Sequence, residues 1–211
     1  MSGQTGPTPN ASSSSAQNAG LPLAELPPCP AAVSWAQLEA GLDTIAQSPK
    51  DHGVLELIVR RPRKEGREVL PEGELDLAQG LVGDTWKARG SSSTPDKSAH
   101  PDMQLTLMNA RVIALVAQER ERWQLAGDQL FIDLDISEAN TPPGTRLGIG
   151  TAVIEVTAAP HTSCQKFRAR FGPDALKFVN SPIGKRMHLR GINAKVVQPG
   201  TVRVGDSVVK L

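Results

Sequence analysis

In PHTSCQKFRAR, residues 160–170, one cysteine, Cys164, stands among His161, Lys166, Arg168 and Arg170. A thiol attacks or ligates as the thiolate, and nearby cations or the first turn of a helix favour that ionised form. The same cations can hold an anion by charge-assisted hydrogen bonds. Read locally, the grouping leaves several uses open. Cys164 can be a thiolate that reacts or ligates, or a hydrolytic nucleophile with His161 as its base. It can equally be a small buried residue under a helix that Arg and Lys merely coat. The hydrolase reading has the thinnest support, because such partners meet in space and not along the chain.

The remaining titratable residues have local explanations. Asp133 and Asp135, with Glu138 beyond, share one face of an alternating segment, which reads as a solvated strand face before an acid/base pair. Asp84, Asp128 and Asp206 each follow a glycine at a turn, where a side-chain hydrogen bond to the backbone is sufficient reason for them. His52, His100 and His188 are isolated and show no metal-site spacing. Lys185, Arg186 and Arg190 line a cleft if the terminal strand passes Cys164, and otherwise coat a solvated edge. Trp35, Trp86 and Trp123 read as packing residues.

The chain has 211 residues, 39% of them hydrophobic, enough for one domain of about 180 residues behind a polar leader. Twenty-three Lys and Arg offset twenty-two Asp and Glu, so a basic site has to be local. With 3% aromatic residues and no Tyr there are few platforms for stacking bases, and nucleic acid is not an expected partner. Cys29 and Cys164 are far apart and form no C-x-x-C pair, so no disulfide framework or structural zinc is expected, and a reducing compartment fits. Residues 1–30 are rich in Ser, Gly and Pro and read as a disordered leader, with Cys29 an incidental thiol. The N-terminus carries no basic or apolar targeting pattern, and no run approaches the roughly 20 apolar residues of a membrane span. A cytoplasmic protein with no membrane partner is therefore expected.

The elements that must position Cys164 read as mostly β. SWAQLEAGLDTIAQSPKD predicts a short helix capped by Ser34, with Leu38, Leu42 and Ile45 at helical spacing. GVLELIVRRP predicts a strand, RKEGREVLPEGELDLAQG a charged excursion, and residues 90–101 a polar loop. MQLTLMN reads as a strand and ARVIALVAQERERW as an amphipathic helix. In QLFIDLDIS the apolar Leu130, Ile132, Leu134 and Ile136 alternate as in a half-buried strand, EANTPPGTRLGIG reads as a turn, and TAVIEVTAAP alternates again. CQKFRARFGPDALKFVNS reads as helix interrupted near Gly172 and Pro173, and MHLRGINAKVVQPGTVRVGDSVVKL alternates on both sides of Pro199-Gly200. Many short, turn-linked strands with few helices predict a mixed α/β fold, mostly β, built as a closed or nearly closed barrel with helical decoration.

The stretch from Ala126 to Gly172, with Gly127-Asp128, the Asn140–Gly144 turn, Gly148 to Gly150, and Cys164 followed by Lys166 and Phe167, resembles the MOSC domain, named after the C-terminal domain of molybdenum cofactor sulfurases. The closing Val204-Gly205-Asp206 and the upstream GLVGDTW and QLTLMNAR extend the resemblance over roughly residues 80–211. It implies a MOSC-type β-barrel with the cysteine in a cleft for the molybdenum cofactor, whose molybdopterin carries a phosphate. Two uses follow. Cys164 ligates molybdenum in an oxidoreductase that reduces N-hydroxylated compounds, or it carries sulfur as a persulfide, in either case independently of pyridoxal phosphate. The resemblance implies cofactor contacts from His161, Thr162, Ser163, Lys166, Arg168, Arg190 and Asn109, and a small-molecule substrate with an electron or sulfur donor protein as partner. A non-enzymatic module for a pterin or other anionic ligand is the alternative. Where many relatives place a basic residue and a histidine after the upstream Gly-Asp, this chain has Thr85 and Trp86.

Overall fold

The computed structural model describes residues 31–162 and 165–211. The leader reading, Cys29, Ser163 and Cys164 lie outside the described residues. Eleven strands are formed among them: β1 (His52–Arg60), β2 (Glu68–Leu70), β3 (Glu72–Asp76), β4 (Gly80–Leu81), β5 (Leu105–Asn109), β6 (Leu130–Asp133), β7 (Arg146–Ile149), β8 (Ala152–Val156), β9 (Ile192–Gln198), β10 (Gly200–Arg203) and β11 (Ser207–Lys210). Helices are short: α1 (Trp35–Ala40), α2 (Leu42–Ala46), α3 (Trp86–Arg89), α4 (Ala110–Ala117), α5 (Gln165–Phe171), α6 (Pro173–Asn180) and α7 (Pro182–Arg186).

The order β1-β11-β7-β8-β9-β5-β6, with β6 returning to β1, closes a seven-stranded barrel. The β5–β6 pair is parallel and the rest are antiparallel. A parallel pair needs a crossover, and α4 lies on that connection, capped by Asn109, whose Oδ1 accepts from Arg111 N and Val112 N. β2 extends the sheet from β1, and β10-β3-β4 forms a small second sheet.

Alternation sorts the core into two layers. Leu107 of β5, Leu130 and Ile132 of β6, Ile154 of β8 and Val208 of β11 belong to one buried cluster, the barrel interior. Met108 and Phe131, of opposite parity, belong to the second, under α4–α6 with Val112, Ile113, Phe167 and Phe178. In β1 a bulge between Leu55 and Leu57 shifts the register, so Leu55 and Ile58 share the interior while Leu57 and Val59 face the helices.

Several expectations change. The alternation in QLFIDLDIS predicted a half-buried strand, but Phe131 is fully buried because the helical layer covers that face, and β6 ends at Asp133. The charged excursion contains β2 and β3. Glu68 lies opposite Arg60 and bonds it at 2.6 Å, a cross-strand pair that lets charged residues form an edge strand. The turn EANTPPGTRLGIG contains β7, where Arg146 faces Glu155 of β8. The predicted first helix breaks at Gly41 into α1 and α2, although Ser34 caps it through the Gln37 side chain as expected. The interruption near Gly172-Pro173 falls between α5 and α6 as read.

Candidate functional site

The α5 helix, which begins immediately after Cys164, borders a cavity of about 630 Å³. Its lining comes from the loop after β1, from α3, from the turn before β6 and from α5. It includes Arg61, Arg63, Arg67, Arg89, Arg170, Arg190, Lys64 and Lys166, with Glu65 the only carboxylate among the described lining residues. A nearly neutral chain thus places eight of its twenty-three Lys and Arg around one cavity.

Two of these arginines are locked from behind. Arg61 grips Asp84 with Nε on Oδ2 at 2.8 Å and Nη2 on Oδ1 at 2.9 Å, while Nη1 donates to Gly127 O at 2.9 Å. The Asp84 carboxylate also accepts from Arg61 N and Trp86 N, and its side chain is wholly buried. Arg190 donates from Nη1 to Asp128 Oδ2 at 2.7 Å and from Nη2 to Ala126 O at 3.1 Å, and its guanidinium lies 5.1 Å from the Phe167 ring centre. The second Asp128 oxygen meets His161 Nε2 at 2.5 Å.

Burial pushes the Asp128 carboxyl up, but Arg190 and then His161 outweigh it and hold the group well below the usual carboxylate range. His161 is shifted down by burial and by Arg190, against the pull of Asp128, so its neutral form is favoured. An ionised carboxylate only accepts, so Nε2 carries the hydrogen.

The other cations are less well provided for. Glu65 pairs with Lys166 and Arg170, and the Lys166 hydrogen bond leads the effects that lower its carboxyl. Among the described residues Arg67 bonds the Gly66 carbonyl alone, and its Nε is buried with no partner. Burial, then the charges of Arg170 and Arg61, push its guanidinium down to about 10. Arg190 Nε is likewise buried without a partner. Arg63, Lys64 and Arg89 are exposed and, among the described residues, in no ion pair.

A second cavity, of about 460 Å³, lies between the β8–α5 connection, α6–α7 and the start of β9. Arg190 lines both cavities, and the two flanks of the Cys164 position divide between them: His161 and Thr162 line the second, Lys166 and Phe167 the first.

The residues singled out in sequence distribute accordingly. His161, Thr162, Lys166 and Arg190 line cavities, and Lys185 joins the second. Arg168 is exposed and lines neither. Asn109 is buried in its capping role, with Nδ2 donating to Ser48 Oγ and Leu134 O. Arg61, Arg67, Arg89 and the anchors Asp84 and Asp128 were missed as site residues. The dense run RRPRKEGR, residues 60–67, was the available signal for the first two. Among the three Gly-Asp turns, Asp206 accepts from Arg203 N and Asp84 from Trp86 N as the turn reading expects, but Asp84 also holds Arg61, and Asp128 is taken up by Arg190 and His161. Asp133 is not simply solvated, since Arg111 bonds both its oxygens. Among the described residues no cluster of His, Cys, Asp and Glu could hold a metal ion, and no helix is long and apolar enough to cross a membrane.

The YuaD protein from Bacillus subtilis is similar in fold, with a TM-score of 0.54 at 14% identity over 74% of this chain and 94% of that one. A crystal structure described as that of a hypothetical protein gives 0.52 at 21% identity over 79% and 70%. YiiM from Escherichia coli gives 0.48 at 21% identity over 75% and 69%. No curated protein matches the chain in sequence. Residues 94–209, more than half of the chain and all of the barrel except β1, match the MOSC domain; the chain belongs to the MOSC domain family.

Proposed function

We propose that the protein binds the molybdenum cofactor, with the arginine-lined cavity receiving its phosphate-bearing pterin and Cys164 supplying a thiolate to molybdenum. The carrying observation is the cavity itself, about 630 Å³ of cationic wall bordered by the helix that starts after Cys164, a size suited to a ligand of a few hundred daltons. The donor set fits such a guest. Arg67 Nε and Arg190 Nε are buried donors with no partner, and a phosphate satisfies such groups with charge-assisted bonds. A soft thiolate suits a metal that dithiolene sulfurs already hold.

The chain's own residues do the holding. Asp84 and Asp128 fix the Arg61 and Arg190 guanidinium groups in advance, so little side-chain entropy is lost on binding. Lys166 lies two positions beyond Cys164 and adds a cation that favours the thiolate. When bound, the cofactor supplies the two-electron chemistry that reduces an N-hydroxylated compound, with electrons from a donor protein. Protein isolated from a cofactor-producing host is expected to contain molybdenum and phosphorus near one per chain, and Cys164→Ser to lose the metal. A persulfide on Cys164 with no metal would instead assign a sulfur carrier. Absence of metal, phosphorus and persulfide together would overturn the reading.

A further inference from the structure

We propose that Glu65 is an autoinhibitory latch on the arginine-lined cavity: its carboxylate competes with an incoming anion for Lys166 and Arg170, and a phosphate-bearing ligand binds by displacing it. This rests on the anion-binding part of the cofactor reading and needs no molybdenum.

The carboxylates that serve this cavity fall into two kinds. Asp84 and Asp128 hold Arg61 and Arg190 from behind, with side chains wholly buried. Removing a partner from such a buried pair is strongly destabilising, so these two stay in place. Glu65 instead lines the cavity itself, on the connection between β1 and β2, and its side chain is 42% exposed. Exposed ion pairs contribute little, so a competing anion can break them cheaply.

The two Glu65 oxygens are divided between two cations of the cavity wall. Oε1 accepts from Lys166 Nζ at 2.5 Å and Oε2 from Arg170 Nη2 at 2.8 Å. Lys166 and Arg170 stand four residues apart on α5, where side chains of that spacing are neighbours on one face. One anion bridging two cationic donors is also how a phosphate is held, with three oxygens and more charge to offer. A phosphate that reaches these donors therefore meets a carboxylate already on both.

The backbone suits a part that lets go. Glu65 has a φ of 60°, the left-handed region that a residue with a Cβ uncommonly adopts, in a turn closed by Gly66 N donating to Arg63 O at 3.0 Å. Arg63 and Lys64 are exposed and, among the described residues, in no ion pair, so the ion pairs described between this turn and α5 are those of Glu65. An internal carboxylate on so short a tether has an effective concentration on the order of millimolar or above. It sets a threshold: weakly held ions do not occupy Lys166 and Arg170, and a ligand that also engages the other arginines does.

Pyrophosphate and sulfate titrated calorimetrically into the full chain without cofactor, and into Glu65→Gln, test this. Competition by a latch divides the affinity of every anion by one factor, whereas plain repulsion from a fixed charge grows with the charge of the ligand. Glu65→Gln should therefore bind both anions about five-fold more tightly, the size expected when two exposed ion pairs no longer have to be broken. The two gains should agree within about two-fold. In the natural chain, pyrophosphate should speed amide hydrogen exchange at Lys64, Glu65 and Gly66, because the turn comes free as the anion enters. An unchanged affinity in Glu65→Gln, a gain several times larger for pyrophosphate than for sulfate, or slower exchange at residues 64–66 would overturn the latch. If the variant does not fold, the exchange measurement on the natural chain decides alone. A chain that binds neither anion overturns the latch and the phosphate site together; one that binds both but carries no metal and no persulfide overturns only the cofactor reading.

Discussion

The two cavities share Arg190, yet one is walled by cations and the other largely by apolar residues. The arginine-lined cavity draws Arg61, Arg63, Arg67 and Arg89 from residues before the MOSC match and Lys166, Arg170 and Arg190 from within it, whereas every residue lining the second cavity falls inside the match. Arginines crowded together repel one another and must be anchored individually. The apolar residues of the second cavity need no such anchors. The difference shows that charge at the first site depends on carboxylates placed behind the wall, and that removing them one at a time separates the two sites.

Asp128 serves both cavities, so its loss has the largest expected effect. Asp128→Ala leaves Arg190 buried without its carboxylate and removes the hold on His161, at an expected cost of about 3–5 kcal/mol in urea unfolding at neutral pH. Binding of pyrophosphate should fail in whatever fraction remains folded. A cost below 1 kcal/mol would mean that the buried triad does not hold the two walls together.

Asp84→Asn sharpens the contrast because it touches only the first site. It weakens the grip on Arg61 but keeps an oxygen for the backbone donors, for a loss of about 1.5–3 kcal/mol, the range of a hydrogen bond to a charged group. Pyrophosphate binding should fall while the dependence of stability on pH that His161 gives is unchanged. Loss of both would show that the two walls move as one unit.

How much of this was legible in sequence follows from the range of each interaction. The alternation of Leu105, Leu107, Ile154 and Val208 gave the barrel strands because a period of two is local, and Ser34 announced its cap three residues from its partner. β2 was hidden because its stability comes from pairing with β1, not from its own composition. Phe131 misled because the helices that bury it lie elsewhere in the chain. The site shows the same division. Lys166 and His161 stood out by proximity to Cys164, but Arg61 finds Asp84 at a separation of 23 residues and Arg190 finds Asp128 at 62, pairings that no local pattern encodes. A glycine-aspartate turn looks alike in sequence whether its carboxylate caps a turn, as Asp206 does, or anchors an arginine.

Acid titration sets His161 apart from the arginine cluster. Folded His161 binds its proton less readily than the unfolded chain does, so between its lowered value and about 6.5 the unfolded state carries more protons and stability falls as pH falls. The slope is at most about 1.4 kcal/mol per pH unit for one group. The Asp128 carboxylate adds loss in the same direction only below about 3.9, its unfolded value. His161→Gln, which can still donate to Asp128, should flatten the curve immediately below pH 6.5 and leave the lower limb in place. An unchanged curve would mean that folding leaves the proton affinity of His161 unaltered.

Arg67 is expected to give the smallest change in stability and the clearest separation of stability from binding. Its guanidinium is half-buried beside Arg61 and Arg170, has among the described residues only the Gly66 carbonyl as acceptor, and is pushed down to about 10. In the empty cavity it therefore contributes repulsion and an unmet donor that Glu65 and Asp84 offset only in part, and it gains a directly bonded counter-charge when an anion enters. Methionine preserves the apolar stem without charge, so Arg67→Met should unfold within about 1 kcal/mol of the natural chain, on either side, as exchanges of an uncompensated buried charge for an apolar group do. Pyrophosphate should nevertheless bind roughly ten-fold more weakly, the loss of about one charge-assisted hydrogen bond, and the rise in melting temperature that it gives the natural chain should shrink accordingly. Should Arg67→Met be strongly destabilised while its pyrophosphate affinity is intact, Arg67 would be part of the fold and not of the anion site, and the asymmetry between the two cavities would rest on Arg61 and Arg190 alone.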